Sequence, residues 1–257
     1  MPLVIDNEFE IDNEKLLAEY VGRIVLGHFA HVKRIIKALS TKNLVIDNSD
    51  LELAIIRLSC KEKSPKDIEK RDGWIFQIIS WLALLSENKG KNFYCQPPHD
   101  ATAQHGLDGL AIILNDQLII ESIIITEDKC TDYHRTLIPK VWEEFEQFES
   151  GFNNNKLVNR VSPLIEEMNE GKVLERNQNN IYNKSLRRYR VGINRNDTYQ
   201  AHAGHLKLFK GYDSCVTGTV PHRRYASTIH RNDIRTWMEM FSQKVIEYLE
   251  TQIKKDV

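Results

Sequence analysis

The sequence has little of what marks several large protein classes. Its four cysteines, Cys60, Cys95, Cys130 and Cys215, are scattered through 257 residues and form no Cys-x-x-Cys pair. That argues against a disulfide framework and against a thiolate zinc cage. No stretch approaches the ~18 consecutive apolar residues of a membrane span, and Met1 to Glu8 carries no basic region before an apolar run. A cytoplasmic protein without membrane contact is therefore expected. The 12 glycines include no phosphate-cradling loop and no Gly-x-Ser-x-Gly elbow. Internal repeats and low-complexity tracts are absent too. Charge of one sign is also lacking: 35 Lys and Arg face 36 Asp and Glu, for a net charge of −1. Contact with nucleic acid must then come from a local basic patch or from a partner.

What is present fits a globular α/β protein with a proper core: 41% hydrophobic and 28% charged residues. Residues 1–11 read as a strand or extended arm. Asp12-Asn13-Glu14 starts a helix, whose apolar spacing from Leu16 runs on to Leu39. His28 and His31, three apart on that helix, lack a third ligand nearby and read as packed or solvated. Leu44 to Asp47 reads as a short strand and 50–58 as a second helix. The charged break 60–65 gives the clearest boundary, separating a mainly helical region (1–63) from a second region (64–257). Trp74 to Ser86 is a helix apolar on more than one side. Asn92 to Cys95 is a strand candidate, and 132–149 a helix with an apolar stripe and an acidic exposed face that points away from any nucleic acid. Leu157 to Met168 is another helix, Leu206 to Phe209 a strand, and a last helix starts at Asn232 or Asp233.

The centre of the chain is residues 105–129. Leu110 to Leu114 and Leu118 to Thr126 are apolar runs joined by the polar turn Asn115-Asp116-Gln117, the pattern of a β-hairpin. Both runs are nearly continuous, so both faces of their sheet should be covered. Antiparallel pairing brings Asp108, at the entry of the first strand, beside Glu127, at the exit of the second. Alternation sends Glu127 and Lys129 to one face and Asp128 to the other. Two carboxylates and an amine at one corner suit a hard divalent cation such as Mg²⁺ or Mn²⁺ and phosphoryl-transfer chemistry.

Asp108 followed at strand distance by Glu127-Asp128-Lys129 resembles the motif of the PD-(D/E)xK nuclease superfamily, with Leu107 where the motif has proline. Together with Arg71-Asp72-Gly73-Trp74-Ile75-Phe76-Gln77 and Gly106-Leu107-Asp108-Gly109, the stretch over residues 70–257 looks like the nuclease subunits of the Hachiman anti-phage system. The resemblance implies a restriction-endonuclease-like sheet flanked by helices. It implies Asp108 and Glu127 as metal ligands, with the Asp128 carbonyl as a further oxygen, Lys129 as the catalytic lysine and Gln77 as a supporting group from the first core helix. It implies cleavage of DNA and a separate helicase subunit as partner.

Residues 176–196 are basic, amide-rich and aromatic, and a second cluster follows at His222-Arg223-Arg224. Lys184, Arg187, Arg188, Arg190, Arg223 and Arg224 are candidate phosphate contacts, as is His105 in the loop before Asp108. A solvated face or a docking surface explains these clusters equally well. Tyr189 to Ile193 reads as a strand at the sheet edge. Two rival functions stay open: an RNA-directed nuclease of the same fold, and a non-catalytic interaction subunit whose Asp-Glu-Lys corner is an internal salt bridge.

Overall fold

The computed structural model describes residues 3–41, 46–60, 64–102, 107–166, 171–218 and 222–253. In chain order the first elements are β1 (Ile5–Glu8), α1 (Glu14–Val25), α2 (Phe29–Ile36), α3 (Asn48–Ser59) and α4 (Pro65–Glu87). The hairpin region follows as β2 (Asn92–Cys95), β3 (Gly109–Leu114) and β4 (Ile120–Lys129). Next come α5 (His134–Ser150), α6 (Asn154–Glu166), α7 (Gly171–Tyr182) and β5 (Arg187–Arg195). The chain closes with α8 (His202–Leu208), α9 (Tyr212–Cys215), β6 (Arg224–His230) and α10 (Ile234–Ile253). No helix among the described residues is long and apolar enough to cross a membrane.

These elements form two compact units interleaved in sequence, one of 1–9, 88–97 and 106–232, the other of 10–87, 98–105 and 233–257. The expected boundary at 63/64 falls inside the second unit, because α4 and α10 group with the N-terminal helices.

The first unit is a six-stranded mixed sheet in the order β1-β6-β5-β4-β3-β2. β2, β3 and β4 are antiparallel neighbours, and β4, β5, β6 and β1 run parallel. The hairpin forms where the apolar runs place it. Asn115 builds its turn: Oδ1 accepts the N–H groups of Gln117 and Ile119, each at 2.9 Å, while Leu118 takes a positive φ of 60°. Alternation puts Leu110, Ile112, Ile123, Ile125, Tyr189, Val191 and Ile193 on one face. Buried residues of α5, α6 and α7 join them, as do Leu208, Phe209 and Tyr212.

β5 is an interior strand between β4 and β6, not the edge strand expected from its basic sequence. Its apolar residues Tyr189, Val191 and Ile193 alternate into the core, Arg188 and Arg190 take the other face, and Arg187 and Arg195 end the strand on the core side. Leu206 to Phe209 is no strand either: α8 covers His202–Leu208. Gly204 makes this possible, since a Cβ there would lie 2.1 Å from the Thr198 carbonyl oxygen.

The second unit is helical. Asn13 caps α1, its Oδ1 accepting the Leu16 N–H at 2.9 Å. The helix expected to reach Leu39 breaks at Gly27, whose φ is 83°, and resumes as α2. The expected strand at Leu44–Asp47 lies partly outside the described residues, and Asp47 instead caps α3 through Ser49. Arg71 is buried in α4. Its guanidinium donates to Asp72 at 2.8 Å, to Glu239 of α10 at 2.7 Å and to the Leu58 carbonyl at 3.3 Å. Arg235 reaches the other oxygen of Asp72 at 2.8 Å. Buried charge is tolerated when paired in this way.

Candidate active site

Strand register builds the site. Gly109 pairs with Thr126 in the antiparallel ladder, so Asp108 comes to lie across from Glu127. The Asp108 carboxylate accepts the main-chain N–H of Asp128 at 2.8 Å. The Lys129 ammonium lies 3.3 Å from Glu127 Oε2 and 4.0 Å from Asp108 Oδ2. Asp108, Glu127 and Lys129 therefore converge as the hairpin reading expects. Asp128 turns to the opposite face, where its carboxylate is 3.7 Å from Arg190.

Burial sets the electrostatics. Glu127 is in register with Val191 and only 2% exposed. That burial raises its carboxyl well above the usual range, and the Asp108 charge raises it further, while Lys129 pulls it down. For Lys129, burial disfavours the charge, but Glu127, Asp108 and Glu144 more than offset this and raise the ammonium's pKa. Glu127 Oε1 is buried, and among the described residues no donor is bonded to it.

Glu144 is the residue that sequence reasoning missed. Its half-buried side chain on α5 comes up to the Glu127 carboxyl and raises its pKa. Two ionised carboxylates are both acceptors, so this contact becomes a hydrogen bond only when one of them carries a proton. The acidic face of α5 was expected to point away. Instead Glu144 looks into the site, and Glu149 accepts the Tyr189 hydroxyl at 2.7 Å and pairs with Arg223. The available signal was spacing: Glu144 lies three residues after Val141 and four before Phe148, at the border of the buried stripe.

Among the described residues no group of three or more His, Cys, Asp or Glu side chains is arranged to hold a metal ion. Mg²⁺ asks for less, one or two carboxylates with water and phosphate filling the shell. Asp108 and Glu127 meet that requirement, and the donorless Oε1 is the kind of oxygen a cation would satisfy.

The basic clusters need correction. Arg187 is fully buried. It bonds to the Phe148 carbonyl at 2.5 Å and to Asn154 Oδ1 at 2.9 Å. Arg190 is buried beside Asp128. Arg224 is buried and donates to the carbonyls of Leu3 and Val216 at 2.8 and 2.7 Å. Arg223 holds Glu149 and the carbonyls of Thr217 and Lys184. These four arginines are engaged by the chain's own carbonyls and acidic or amide side chains and do not form a phosphate-binding face. Arg188 is half-buried, 5.9 Å from the centroid of the Tyr225 ring, and Lys184 is exposed. His105 lies outside the described residues. Gln77 sits on α4 in the helical unit, 5% exposed, where its Oε1 accepts the His99 N–H at 3.3 Å. No protein-family model, no curated protein and no solved structure matches the chain.

Proposed function

We propose that this chain is a metal-dependent nuclease of the PD-(D/E)xK type that cleaves DNA phosphodiester bonds. The observation that carries the reading is the buried Glu127 carboxyl, one oxygen of which no described residue donates to, set beside Asp108 and the Lys129 ammonium. A buried carboxylate held this way is costly unless a cation completes it. An antiparallel hairpin bearing the carboxylates, continued by parallel strands, is also what a restriction-endonuclease-like core calls for.

Asp108 and Glu127 would hold one Mg²⁺ or Mn²⁺ ion, with the Asp128 carbonyl as a further oxygen. When bound, the ion supplies positive charge for the phosphate and acidifies a coordinated water. Asp108 is oriented for its role by the Asp128 N–H. Lys129 stays protonated, because three carboxylates favour its charge. Its ammonium holds the attacking water or a phosphate oxygen and stabilises charge that develops in the transition state. Lys184 and Arg188 are the remaining candidate backbone contacts. The resemblance to Hachiman nuclease subunits adds a cytoplasmic setting in anti-phage defence and a helicase partner.

The test is cleavage of supercoiled plasmid in Mg²⁺ or Mn²⁺, with EDTA and Glu127→Gln as controls, repeated with any helicase found encoded beside it. The expected result is metal-dependent cleavage that falls by at least ~10²-fold in the variant. Cleavage that survives Glu127→Gln removes the assignment. RNA run side by side decides between the DNA and RNA readings.

A further inference from the structure

Beside the start of β5, two aromatic rings stand in solvent on adjoining turns. Phe152, between α5 and α6, is 79% exposed, and Tyr182, at the end of α7, is 52% exposed. A single exposed apolar residue is ordinary, but two rings held on fixed backbone at one place are a surface. We propose that Phe152 and Tyr182 form a stacking platform for the unpaired bases of a single-stranded nucleic acid, with its phosphates against Lys156 and Lys184.

Three observations carry this. First, one buried side chain brings the two turns together. Arg187, the fully buried first residue of β5, donates through Nη2 to Asn154 Oδ1 at 2.9 Å, and the Tyr182 carbonyl lies 3.5 Å from the same nitrogen. Its Nη1 donates to the Phe148 carbonyl. The chain before Phe152, the chain after it and the backbone of Tyr182 thus meet at one guanidinium. Second, the backbone turns the rings outward. Gly151 ends α5 in the left-handed region, with φ 93°. Asn153 is buried, its N–H donating to the Gln147 carbonyl at 3.2 Å and its Nδ2 to Gln147 Oε1 at 3.0 Å. Pinned on both sides, Phe152 is left facing water. Past Tyr182, Asn183 Oδ1 accepts the Ser185 N–H at 3.0 Å and fixes the chain's exit. Rings presented on ordered backbone need little further ordering when a ligand arrives. Every base has a π-face, so such rings accept any unpaired base, whereas the bases of a duplex are already stacked on one another. Third, the charge is complementary. Lys156, in the first turn of α6, and Lys184, just after Tyr182, are both exposed, one close to each ring. Glu149, in the last turn of α5, is taken up by Arg223 and Tyr189, and Arg223 also donates to the Lys184 carbonyl at 3.0 Å. Lysines beside stacking rings are the pairing that follows a single strand, the cations on its backbone and the rings on its bases.

The platform lies apart from the carboxylate corner, since Arg187 pairs with Ile123, further back along β4 than Glu127. Its binding is read in EDTA and does not depend on the nuclease reading. The test is fluorescence anisotropy of labelled oligo(dT) of about 16 nucleotides, the upper end of single-stranded site sizes, titrated with the full chain. A duplex and an abasic oligomer of the same length are run beside it. The expected result is saturable binding of oligo(dT), weakened roughly 10-fold by Phe152→Leu and again by Tyr182→Leu. Leucine keeps an apolar side chain and removes the ring, and both positions are exposed, so melting temperatures should match wild type. The double variant Lys156→Ala/Lys184→Ala should lower the slope of log affinity against log salt by about 1.4, two contacts at ~0.7 each. Duplex and abasic oligomer should bind more weakly and ignore the ring variants. Oligo(dT) binding that both leucine variants leave intact, that the abasic oligomer matches, or that is absent up to millimolar concentration would overturn the proposal. So would a dimer in sedimentation that Phe152→Leu disperses, because the rings would then belong to contact with a second copy of the chain.

Discussion

The Asp108 carboxylate accepts the Asp128 main-chain N–H at 2.8 Å, a bond between residues twenty apart in sequence. It fixes the entry of β3 to the exit of β4 and orients one of the two carboxylates. A side chain that also holds a backbone group separates structure from chemistry by the choice of substitution.

Asp108→Asn keeps an oxygen able to accept that N–H and removes the charge. Its stability in EDTA should stay within about 0.5 kcal/mol of wild type, while calorimetric Mg²⁺ binding is lost. Asp108→Ala should instead cost about 1–2 kcal/mol in EDTA, because it strands the Asp128 N–H. Equal stability of the two variants would show that the bond carries no weight.

Glu127 predicts a pH dependence. Its carboxyl titrates above its unfolded value, so the folded state holds the proton more tightly. That contribution to stability is present below the unfolded carboxylate pKa and is lost as pH rises through the folded one. Metal-free Glu127→Gln has no such loss. Chemical denaturation in EDTA should show the variant gaining on wild type as pH is raised beyond the ordinary carboxylate range. Saturating Mg²⁺ should reverse that gain, since only wild type binds it.

Arg187 and Lys184 are close in sequence and opposite in role. Arg187→Ala would leave the buried Phe148 carbonyl without its donor and release Asn154. A loss of about 2–4 kcal/mol is expected, read from urea midpoints. Lys184→Glu changes an exposed position and should leave the midpoint alone while weakening DNA binding and flattening its salt dependence.

Gly204→Ala should be among the most damaging surface-proximal substitutions. The new Cβ meets the Thr198 backbone oxygen at 2.1 Å, and backbone cannot swing aside as a side chain can. A loss of about 3 kcal/mol or more is expected, with α8 pushed off the 197–199 turn. Gly73→Ala, where nothing lies within 4 Å, is the matched control and should be neutral or stabilising.

Much of the fold could be read from the chain because local signals agreed with tertiary ones. Asn13, the Ser64-Pro65 start and the apolar hairpin all behave as their types require. The Asp108, Glu127 and Lys129 corner was legible for the same reason, since alternation and antiparallel pairing leave little freedom. The arginines were misread because sequence shows a charge but not what surrounds it. Arg187, Arg190 and Arg224 look like a basic face only until carbonyls and Asp128 are seen to enclose them. β6 was missed as well, its first residue, Arg224, having been read as part of a basic cluster. Glu144 was lost because a residue at the border of a helical stripe can face either way, and only the packing of α5 decides.

The placement of β1 bears on how the molecule comes into being. Ile5 pairs with Tyr225, almost the whole chain later, and α1 belongs to the same helical unit as α10. On a ribosome, neither unit can close until the last strand and the last helix have emerged, so assembly is a late event dominated by distant contacts, the kind that folds slowly. During that wait the Ile5–Glu8 segment is an unpaired strand, the sort that recruits neighbouring chains. Asp6 and Glu8, which later meet Arg195 and His205, give it a charge that discourages such pairing. The acids of the first strand thus guard the nascent chain before they serve the finished one.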